Sequence, residues 1–367
     1  MIAGSRTGRR FRRGVILAFA VGFIFSAWYW RREVRSLVRN AKPYVRRRSR
    51  VQNPALIINR WSGDGKAEAV GLEERARSLA IKTVMLERGD DLTQLAHDAI
   101  DAGADAIGMA GGDGSLGLVA AVADERDVPF FCIPVGTRNH FALDLGLDRD
   151  DPLAALEALS EGDELLIDYG LVGGRVFLNN VSLGVYAAAV HQEGYREEKA
   201  KTIAQVLAET AANPELQHSL RFKTPDGHRH ERAPLVLISN NRYVMSGPPD
   251  YGRRSRMDGG MLGVSAVTSL PEAGTVGSIT LSDLRSLHEW ETSSFQIESD
   301  NETILTGVDG EALEFPAPLD ITIRNKGLRV LVPAGVRPGY LPPGEVIAAR
   351  LLDMAEIGGH LDGPGDG

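Results

Sequence analysis

The sequence predicts an α/β fold followed by a mostly-β part, and two observations support this prediction. In the first half of the chain, short apolar runs alternate with helical segments, which is typical of a parallel sheet with helices on both faces. From about residue 165, short β-like runs follow one another with turn residues between them. We therefore expect a second, mostly antiparallel domain built as a sheet or a sandwich.

Four strands and three helices are predicted in the first half. The strands lie in apolar runs bounded by turn residues, at 55–59, 81–86, 105–109 and 129–133. The helices are predicted at 66–80, 92–102 and 115–124, and apolar residues of the second helix recur on one face. Because strand and helix alternate with short connections, the strands should be parallel, with their carboxyl ends at one edge.

The second half is predicted to be largely antiparallel. Its β-like runs lie at 165–172, 175–185, 219–227, 234–241, 261–268, 294–299, 320–325 and 328–333. One helix is predicted at 195–212 and another, in the Gly/Pro-rich tail, at 344–356. These changes of pattern divide the chain into four parts, at residues 1–50, 54–160, 165–335 and 336–367.

Charge is distributed unevenly along the chain. Of its 367 residues, 41 are Lys or Arg and 49 are Asp or Glu; 14 of the basic residues lie in residues 1–50, together with one acid. This leader therefore has a net charge of +13 and the remainder has −21. An acidic body of this kind argues against nucleic acid as a partner.

Residues 14–30 of the leader carry no charge and end in Trp-Tyr-Trp. A run of 17 residues is near the lower limit for a helix that crosses about 30 Å of hydrocarbon, and the terminal aromatics suit an interface. More basic residues follow this run than precede it, which predicts a single-pass membrane protein with a cytoplasmic body. A helix lying in the interface and a polybasic arm on anionic lipid are the alternatives.

The single cysteine, Cys132, lies in an apolar run. It excludes a disulfide framework and a zinc site built on cysteines, and it suits a reducing compartment. A buried strand cysteine is a better interpretation of this residue than a catalytic thiol. A hydrophobic content of 43% and a charged content of 25% are those of a globular protein.

A glycine-rich turn follows the third predicted strand. It consists of Gly111, Gly112, Asp113, Gly114 and Ser115, and a helix follows it. Glycines let backbone N–H groups approach an anion, the helix N-terminus adds positive potential, and the carboxylate can carry Mg²⁺. The pattern favours phosphate binding, although Gly-Gly-Asp-Gly is also ordinary turn chemistry.

Two further loops follow strands at the same predicted edge. Residues 59–63 (Asn-Arg-Trp-Ser-Gly) follow the first strand, and residues 134–141 (Pro-Val-Gly-Thr-Arg-Asn-His-Phe) follow the fourth. Since the carboxyl ends of parallel strands meet at one edge of a sheet, the three loops can converge on one ligand.

The three loops and a Val-Asp-Gly-Glu stretch at 308–311 occur in the order and at the spacing of one family. The chain resembles the diacylglycerol kinase catalytic-domain family of bacterial lipid kinases, diacylglycerol kinases and sphingosine kinases, over roughly residues 54–335. The family patterns are Asn-Pro-x-Ser-Gly, Gly-Gly-Asp-Gly-Thr and Pro-x-Gly-Thr-x-Asn-Asp-Phe. The resemblance implies a Rossmann-like ATP-binding domain, a β-sandwich lipid-binding domain and an active site between them.

The resemblance also implies which residues form the site. The nucleotide would be held by residues of the three loops, namely Asn59, Ser62, Gly63, Gly111, Gly112, Asp113, Gly114, Ser115, Gly136, Thr137 and Asn139. Asp309 falls where the family has its general base, and Glu311 is two residues further on. Without the family, Asp309 followed by glycine is a common hairpin turn.

ATP and Mg²⁺ are the implied cofactors. Mg²⁺ would bind at Asp113 beside the phosphates and, in a structural site that bacterial members carry, at Asp258 with backbone oxygens of Ser255 and Gly260. The stretch from Asp258 to Gly260 is equally well a simple turn. The implied partner is a lipid substrate in the membrane, and a homodimer is left open.

The implied activity is transfer of the γ-phosphoryl group of ATP to a diacylglycerol-like or sphingoid-like hydroxyl. Some positions depart from the family pattern: Arg60 replaces proline, His140 replaces aspartate, and Gly117 with Leu118 replaces an Asn-Glu pair. The last departure removes a polar contact near the phosphates. A catalytically silent lipid-binding protein is therefore one alternative, and an NAD kinase-like enzyme, which shares the Gly-Gly-Asp-Gly turn, is another.

Overall fold

The computed structural model describes residues 44, 46–48, 50–184, 187, 220–244, 253–254, 256–268, 287–336 and 338–339. Two sheets dominate these residues, a nine-stranded mixed sheet and a six-stranded antiparallel sheet. This confirms a mixed α/β fold with a parallel-rich sheet and a separate antiparallel one. The leader run at 14–30 and the predicted helices at 195–212 and 344–356 lie outside the described residues.

Strands and helices alternate in the first half, as the sequence predicts. The strands are β1 (Arg46–Arg48), β2 (Pro54–Ile58), β3 (Lys82–Met85), β4 (Ala106–Gly111) and β5 (Phe130–Pro134). The helices are α1 (Lys66–Ala69), α2 (Leu72–Ser78), α3 (Leu92–Asp101), α4 (Asp113–Glu125), α5 (His140–Leu145) and α6 (Ala158–Glu161), with 3₁₀ turns at Ser62–Gly65 and Pro152–Glu157. Strands β5, β4, β2 and β3 lie side by side in this order and are parallel. β2, β4 and β5 are buried along their whole length, which is typical of strands covered on both faces.

The predicted helix at 66–80 is two short helices in the structure. Gly71, between α1 and α2, has a left-handed backbone with φ +65°. Glycine adopts this conformation at little cost, so the helical stretch breaks there. Helix α3 begins close to its predicted start, because Asp91 accepts hydrogen bonds from the N–H groups of Thr93 (2.9 Å) and Gln94 (3.2 Å).

The last part of the described chain returns to the first sheet. The strands of the second half are β6 (Asp163–Val172), β7 (Arg175–Phe177), β8 (Asn180–Gly184), β9 (Phe222–Lys223), β10 (Arg229–His230), β11 (Leu235–Asn240), β12 (Tyr243–Val244), β13 (Arg253–Arg254), β14 (Leu262–Val267), β15 (Leu287–Thr292), β16 (Ser294–Ile297), β17 (Thr303–Val308), β18 (Glu311–Pro316) and β19 (Leu319–Val332). β19 pairs in parallel with β5 and antiparallel with β6, so both strands extend the sheet that begins in the first half. The domain limits at 54–160 and 165–335 stay a prediction.

The six-stranded sheet has the order β15, β14, β11, β8, β17 and β18, and all its pairs are antiparallel. One hydrophobic cluster joins it to the larger sheet. The cluster contains Val172 and Ile321 from the larger sheet, and Val181, Ile238 and Val264 from the six-stranded sheet. Burial of these side chains, at roughly 25 cal/mol per Å² of apolar surface, holds the two sheets together.

None of the helices in the described ranges is long and apolar enough to cross a membrane. The longest of them, α4, has 13 residues, whereas a crossing helix needs about 20 predominantly apolar ones. The expectation of an N-terminal membrane helix, and of a single-pass membrane protein with a cytoplasmic catalytic body, is corrected accordingly.

A fully buried arginine connects α5 to the strands of the second half. Arg254 forms an ion pair with Asp144 of α5, with 2.7 Å between Nε and Oδ2. Its other nitrogens donate to the carbonyl oxygens of Leu178 (2.5 Å) and Asn240 (3.1 Å) and to Asn179 Oδ1 (2.9 Å). A buried charge is tolerated only when it is paired and hydrogen-bonded, so these contacts fix α5 in one arrangement.

Replacing this arginine tests the contribution of the network to stability. Arg254→Met should lower the free energy of unfolding by about 3–5 kcal/mol, because the Asp144 carboxylate stays buried without its partner. The matched control, Arg77→Met, removes an exposed ion pair with Glu73 of similar length (2.6 Å) and should cost only about 0.3–0.5 kcal/mol. Urea unfolding measures both losses, and equal losses would contradict the stabilising role of the buried pair.

Candidate active site

The three glycine-bearing loops meet at the carboxyl edge of β2, β4 and β5. A methyl group built on Gly63 would lie 2.2 Å from the carbonyl oxygen of Val135, and one built on Gly136 would lie 2.5 Å from Gly112 Cα. Gly63 also has a positive φ of 58°. Only glycine permits such a close approach of backbones, so the structure brings the loops together at the point that the sequence indicates.

The turn between β4 and α4 leaves room for a methyl group at Gly112. The nearest atom to a Cβ built on Gly112 is Ser62 Oγ, at 3.7 Å, and Ser115 Oγ lies 3.6 Å from a Cβ built on Gly111. The first N–H groups of α4, a helix of 13 residues, have no acceptor within the helix and carry partial positive charge. An anion with several oxygens can bind here, between N–H groups and two hydroxyls.

Asp113 holds the start of helix α5. Its Oδ2 accepts a hydrogen bond from the backbone N–H of His140, and its Oδ1 accepts one from Phe141, both at 3.1 Å. The sequence predicts Asp113 as a Mg²⁺ ligand and gives no sign of this capping contact. Each oxygen keeps a further lone pair, so the carboxylate can cap the helix and still bind a cation.

Asn139 and Asn59, which are predicted to bind the nucleotide, also fix the conformation of their own loops. Asn139 is buried, with a left-handed backbone (φ 53°); its Oδ1 accepts from Gly136 N (2.8 Å) and its Nδ2 donates to Gly136 O (2.5 Å). Asn59 Oδ1 accepts from Trp61 N (3.0 Å). Thr137, by contrast, is exposed. The asparagines therefore fix loop geometry, while Thr137 is open to a ligand.

The turn between β17 and β18 places Asp309 beside helix α4. Asp309 Oδ1 accepts hydrogen bonds from the N–H groups of Asn179 (2.8 Å) and Asn180 (3.0 Å), and Oδ2 accepts one from Leu178 (2.8 Å). A Cβ built on Gly117 of α4 would lie 3.7 Å from Oδ2. The less engaged oxygen of Asp309 therefore faces the helix that begins at the glycine-rich turn.

Desolvation raises the pKa of the Asp309 carboxyl group from 3.8 to about 7. The hydrogen bonds from backbone N–H groups lower this pKa, the negative charge of Asp113 raises it, and the effect of burial is the largest. A carboxyl group that titrates near neutral pH can take up a proton and release it again, which a general base must do.

Glu311 lies over the first turn of α4. Its Oε1 is 2.2 Å from the position of a Cβ on Gly114, and its Oε2 forms an ion pair with Arg175 Nη2 at 2.6 Å. Arg175 is not singled out by the sequence, because it belongs to β7 and lies 136 residues from its partner. Together with Asp309, this contact makes the β17–β18 turn and the glycine-rich turn parts of one site.

The second predicted metal site is only partly described. Ser255 lies outside the described residues, and Gly260 donates its N–H to Asp168 Oδ2 (2.6 Å). Asp258 is buried, and its Oδ1 forms an ion pair with Arg256 Nη2 at 2.5 Å, without a well-aligned hydrogen bond to any of the described residues. Within the ranges that the structure describes, no three His, Cys, Asp or Glu side chains are arranged to hold a metal ion. A cation at Asp258 stays a prediction.

Comparisons with known proteins relate these loops to one family. The family model of the diacylglycerol kinase catalytic domain matches residues 53–172, which include all three glycine-bearing loops. A diacylglycerol kinase of Mycobacterium tuberculosis (strain CDC 1551 / Oshkosh) is 32% identical over 130 residues, or 34% of this chain and 42% of that protein. A solved structure of a diacylglycerol kinase from Bacillus anthracis str. Sterne matches 79% of this chain and 100% of its own, with a TM-score of 0.54 and 18% identity. This likeness shows a shared fold.

A longer match comes from Chromohalobacter salexigens. A protein described as a probable YegS-like lipid kinase is 30% identical over 219 residues, which cover 56% of this chain and 68% of that protein. The match with the mycobacterial protein, by contrast, spans less than half of that relative's length. We conclude that this chain belongs to the diacylglycerol kinase catalytic-domain family.

Proposed function

We propose that this protein is an ATP-dependent lipid kinase that transfers the γ-phosphoryl group to a lipid hydroxyl. The main support is the contact between the β17–β18 turn and α4, which brings Asp309, with a pKa near 7, next to a glycine-rich anion site. Phosphoryl transfer needs a phosphate cradle and an acceptor for the proton of the alcohol. The names of the related proteins, diacylglycerol kinase and lipid kinase, support a lipid alcohol as the acceptor.

In the proposed reaction, the lipid hydroxyl gives its proton to Asp309 Oδ2 as its oxygen attacks the γ-phosphorus. The bond from the γ-phosphorus to the β–γ bridging oxygen breaks, and ADP leaves with that electron pair. Among the described residues, Oδ2 accepts one hydrogen bond, from Leu178 N–H, which leaves it a lone pair for the incoming proton. The N–H groups at the start of α4 hold the phosphates in line with the alcohol.

The charges around the start of α4 fit a cation as part of the site. Asp113 and Asp309 are near this helix end, Glu311 is already paired with Arg175, and ATP would add further negative charge. Mg²⁺ is commonly bound by one or two carboxylates together with substrate phosphates, which suits Asp113 with its remaining lone pairs. When bound there, Mg²⁺ would neutralise charge on the transferred phosphoryl group.

A coupled assay of ATP turnover tests this function. The purified chain is offered diacylglycerol or a sphingoid base in mixed micelles, or NAD, and ADP release is followed. We expect ADP only in the presence of a lipid. Release with NAD would instead indicate an NAD kinase-like enzyme, and no release with any acceptor would indicate a catalytically silent lipid-binding protein.

Asp309→Asn should lower turnover by about 10²–10⁴-fold, because a carboxamide cannot take the proton of the alcohol. In the unchanged protein, kcat/KM should rise with pH up to about 7 and then level off, since Asp309 acts only when deprotonated. The residual rate of the variant should lack this rise. The turnover of both proteins is measured across this pH range, and circular dichroism checks that the variant is folded. Near-normal turnover of the variant would exclude Asp309 as the base.

Gly112→Ala should fold normally and lose affinity for ATP. A φ of −85° suits alanine, and the nearest atom to the new methyl group lies at 3.7 Å, but the methyl would fill the space over the turn. We expect the KM for ATP to rise at least about tenfold, which corresponds to roughly 1.4 kcal/mol. Gly136→Ala is the contrasting variant, since its methyl would lie 2.5 Å from Gly112 Cα and should destabilise the fold. Unchanged ATP affinity in a folded Gly112→Ala protein would place the phosphates elsewhere.

Asp113→Asn should raise both the KM for ATP and the Mg²⁺ concentration needed for half-maximal activity, because negative charge is lost beside the phosphates. Asparagine keeps one oxygen that can accept from the start of α5, whereas Asp113→Ala also removes the cap and should cost about 0.5–2 kcal/mol of stability. Kinetic titrations with ATP and Mg²⁺ separate the two effects, and lipid binding should not change. If Asp113→Asn showed normal dependence on ATP and Mg²⁺, the ligand role would be refuted.

A further inference from the structure

Trp61 is a bulky aromatic residue that the fold leaves exposed beside the anion site. It is 42% exposed and, with Leu79 and Leu287, forms the set of large hydrophobic side chains that are exposed in the described part of the chain. The next residue, Ser62, has its Oγ beside Gly112 of the glycine-rich turn. Packing within the protein therefore does not explain a tryptophan at this position. The exposed surface of its ring is available to a ligand.

A guanidinium group holds the ring of Trp61 in place. Arg88 Cζ lies 5.6 Å from the ring centroid, within the range of a cation–π contact. Arg88 follows β3 and Trp61 follows β2, and these strands are parallel neighbours. The ion pair of Arg60 with Glu87 (3.2 Å) connects the same two loops. The ring is thus positioned before any ligand binds, which reduces the entropy that binding must overcome.

The position of the ring along the sheet edge fits a nucleotide whose phosphates bind at α4. The glycine-rich turn follows β4, Trp61 follows β2 and Arg88 follows β3, and the strands lie in this order. Neighbouring strands are about 4.7–4.9 Å apart, so Trp61 is roughly one strand spacing and Arg88 two from the turn. A triphosphate bound at the turn can extend its sugar and base along this edge.

We propose that Trp61 and Arg88 form the base platform of the nucleotide site, with the purine of ATP stacked on the ring face opposite Arg88. This inference rests on the proposed function, because it requires the phosphates of ATP at the α4 turn. Stacking does not depend on the exocyclic groups of a base, so GTP should benefit from the platform as well. Trp61 is a binding residue in this proposal and takes no part in the chemistry.

Calorimetric titration of single variants in the presence of Mg²⁺ tests the platform. Trp61→Ala should raise the Kd for ATP about 5- to 100-fold, and Trp61→Phe, which keeps a ring, should raise it less. Inorganic tripolyphosphate has no base, so its Kd should be the same for Trp61→Ala and the unchanged protein. The control is Leu79→Ala, which removes a side chain of similar exposure (40%) at the end of α2 and should alter neither affinity.

The outcomes separate this inference from the proposed function. Equal ATP affinity of Trp61→Ala and the unchanged protein would overturn the platform and leave the phosphate site standing. A parallel loss of ATP and tripolyphosphate affinity would also overturn it, since Trp61 would then act through its loop rather than on the base. If the unchanged protein bound neither ATP nor tripolyphosphate, the proposed function would fail and the platform with it.

Discussion

The carboxylate of Asp309 and the guanidinium of Arg254 hold the same short segment of chain. Leu178 donates its N–H to Asp309, and its carbonyl oxygen accepts from Arg254 Nη1 (2.5 Å). Arg254 pairs with Asp144 in α5, and Asp113 caps the start of that helix. Asp309 and Asp113 are therefore linked by a series of polar contacts that runs through Arg254 and helix α5. Removal of any one of these groups leaves its neighbour without a hydrogen-bonding partner. The position of the proposed base relative to the glycine-rich turn depends on this set.

Asp309 lies beside Gly117, one of the positions that depart from the family pattern. Three backbone N–H donors would by themselves lower the pKa of a carboxyl group, yet desolvation outweighs them and raises it to about 7. Gly117 brings the α4 backbone close to Asp309 without adding a polar side chain: a Cβ there would lie 3.7 Å from Oδ2 and 3.4 Å from Val176 O. The proposed base therefore needs no polar side chain at this position, and Gly117 alone does not argue for a catalytically silent protein.

Features with a local signature could be predicted from the sequence, and features that join distant segments could not. Buried apolar runs and glycine-rich turns carry their own patterns, so the four parallel strands and the meeting of the three loops followed from the sequence. The ion pairs of Arg254 with Asp144 and of Arg175 with Glu311 join residues 110 and 136 positions apart, and a lone arginine gives no sign of its partner. The return of β19 to the first sheet is missed for the same reason, since β-pairing over this separation leaves no periodic pattern. Gly71 is a residue that can end a helix. Because the helical periodicity of the sequence continues on both sides of it, the sequence predicts one helix there instead of two.

The two roles of Asp113 connect nucleotide binding to the proposed base. The negative charge of Asp113 is one of the contributions that raise the pKa of Asp309. A cation bound at Asp113 would lower the pKa of Asp309, whereas the phosphates of ATP would raise it, because Mg²⁺ with ATP still carries a net negative charge. Without these ligands, burial and the charge of Asp113 both favour the neutral form of the carboxyl group. In the proposed mechanism, a cation at Asp113 therefore offsets part of the effect of the phosphates on the base, and the capping of α5 by Asp113 fixes the position from which it acts.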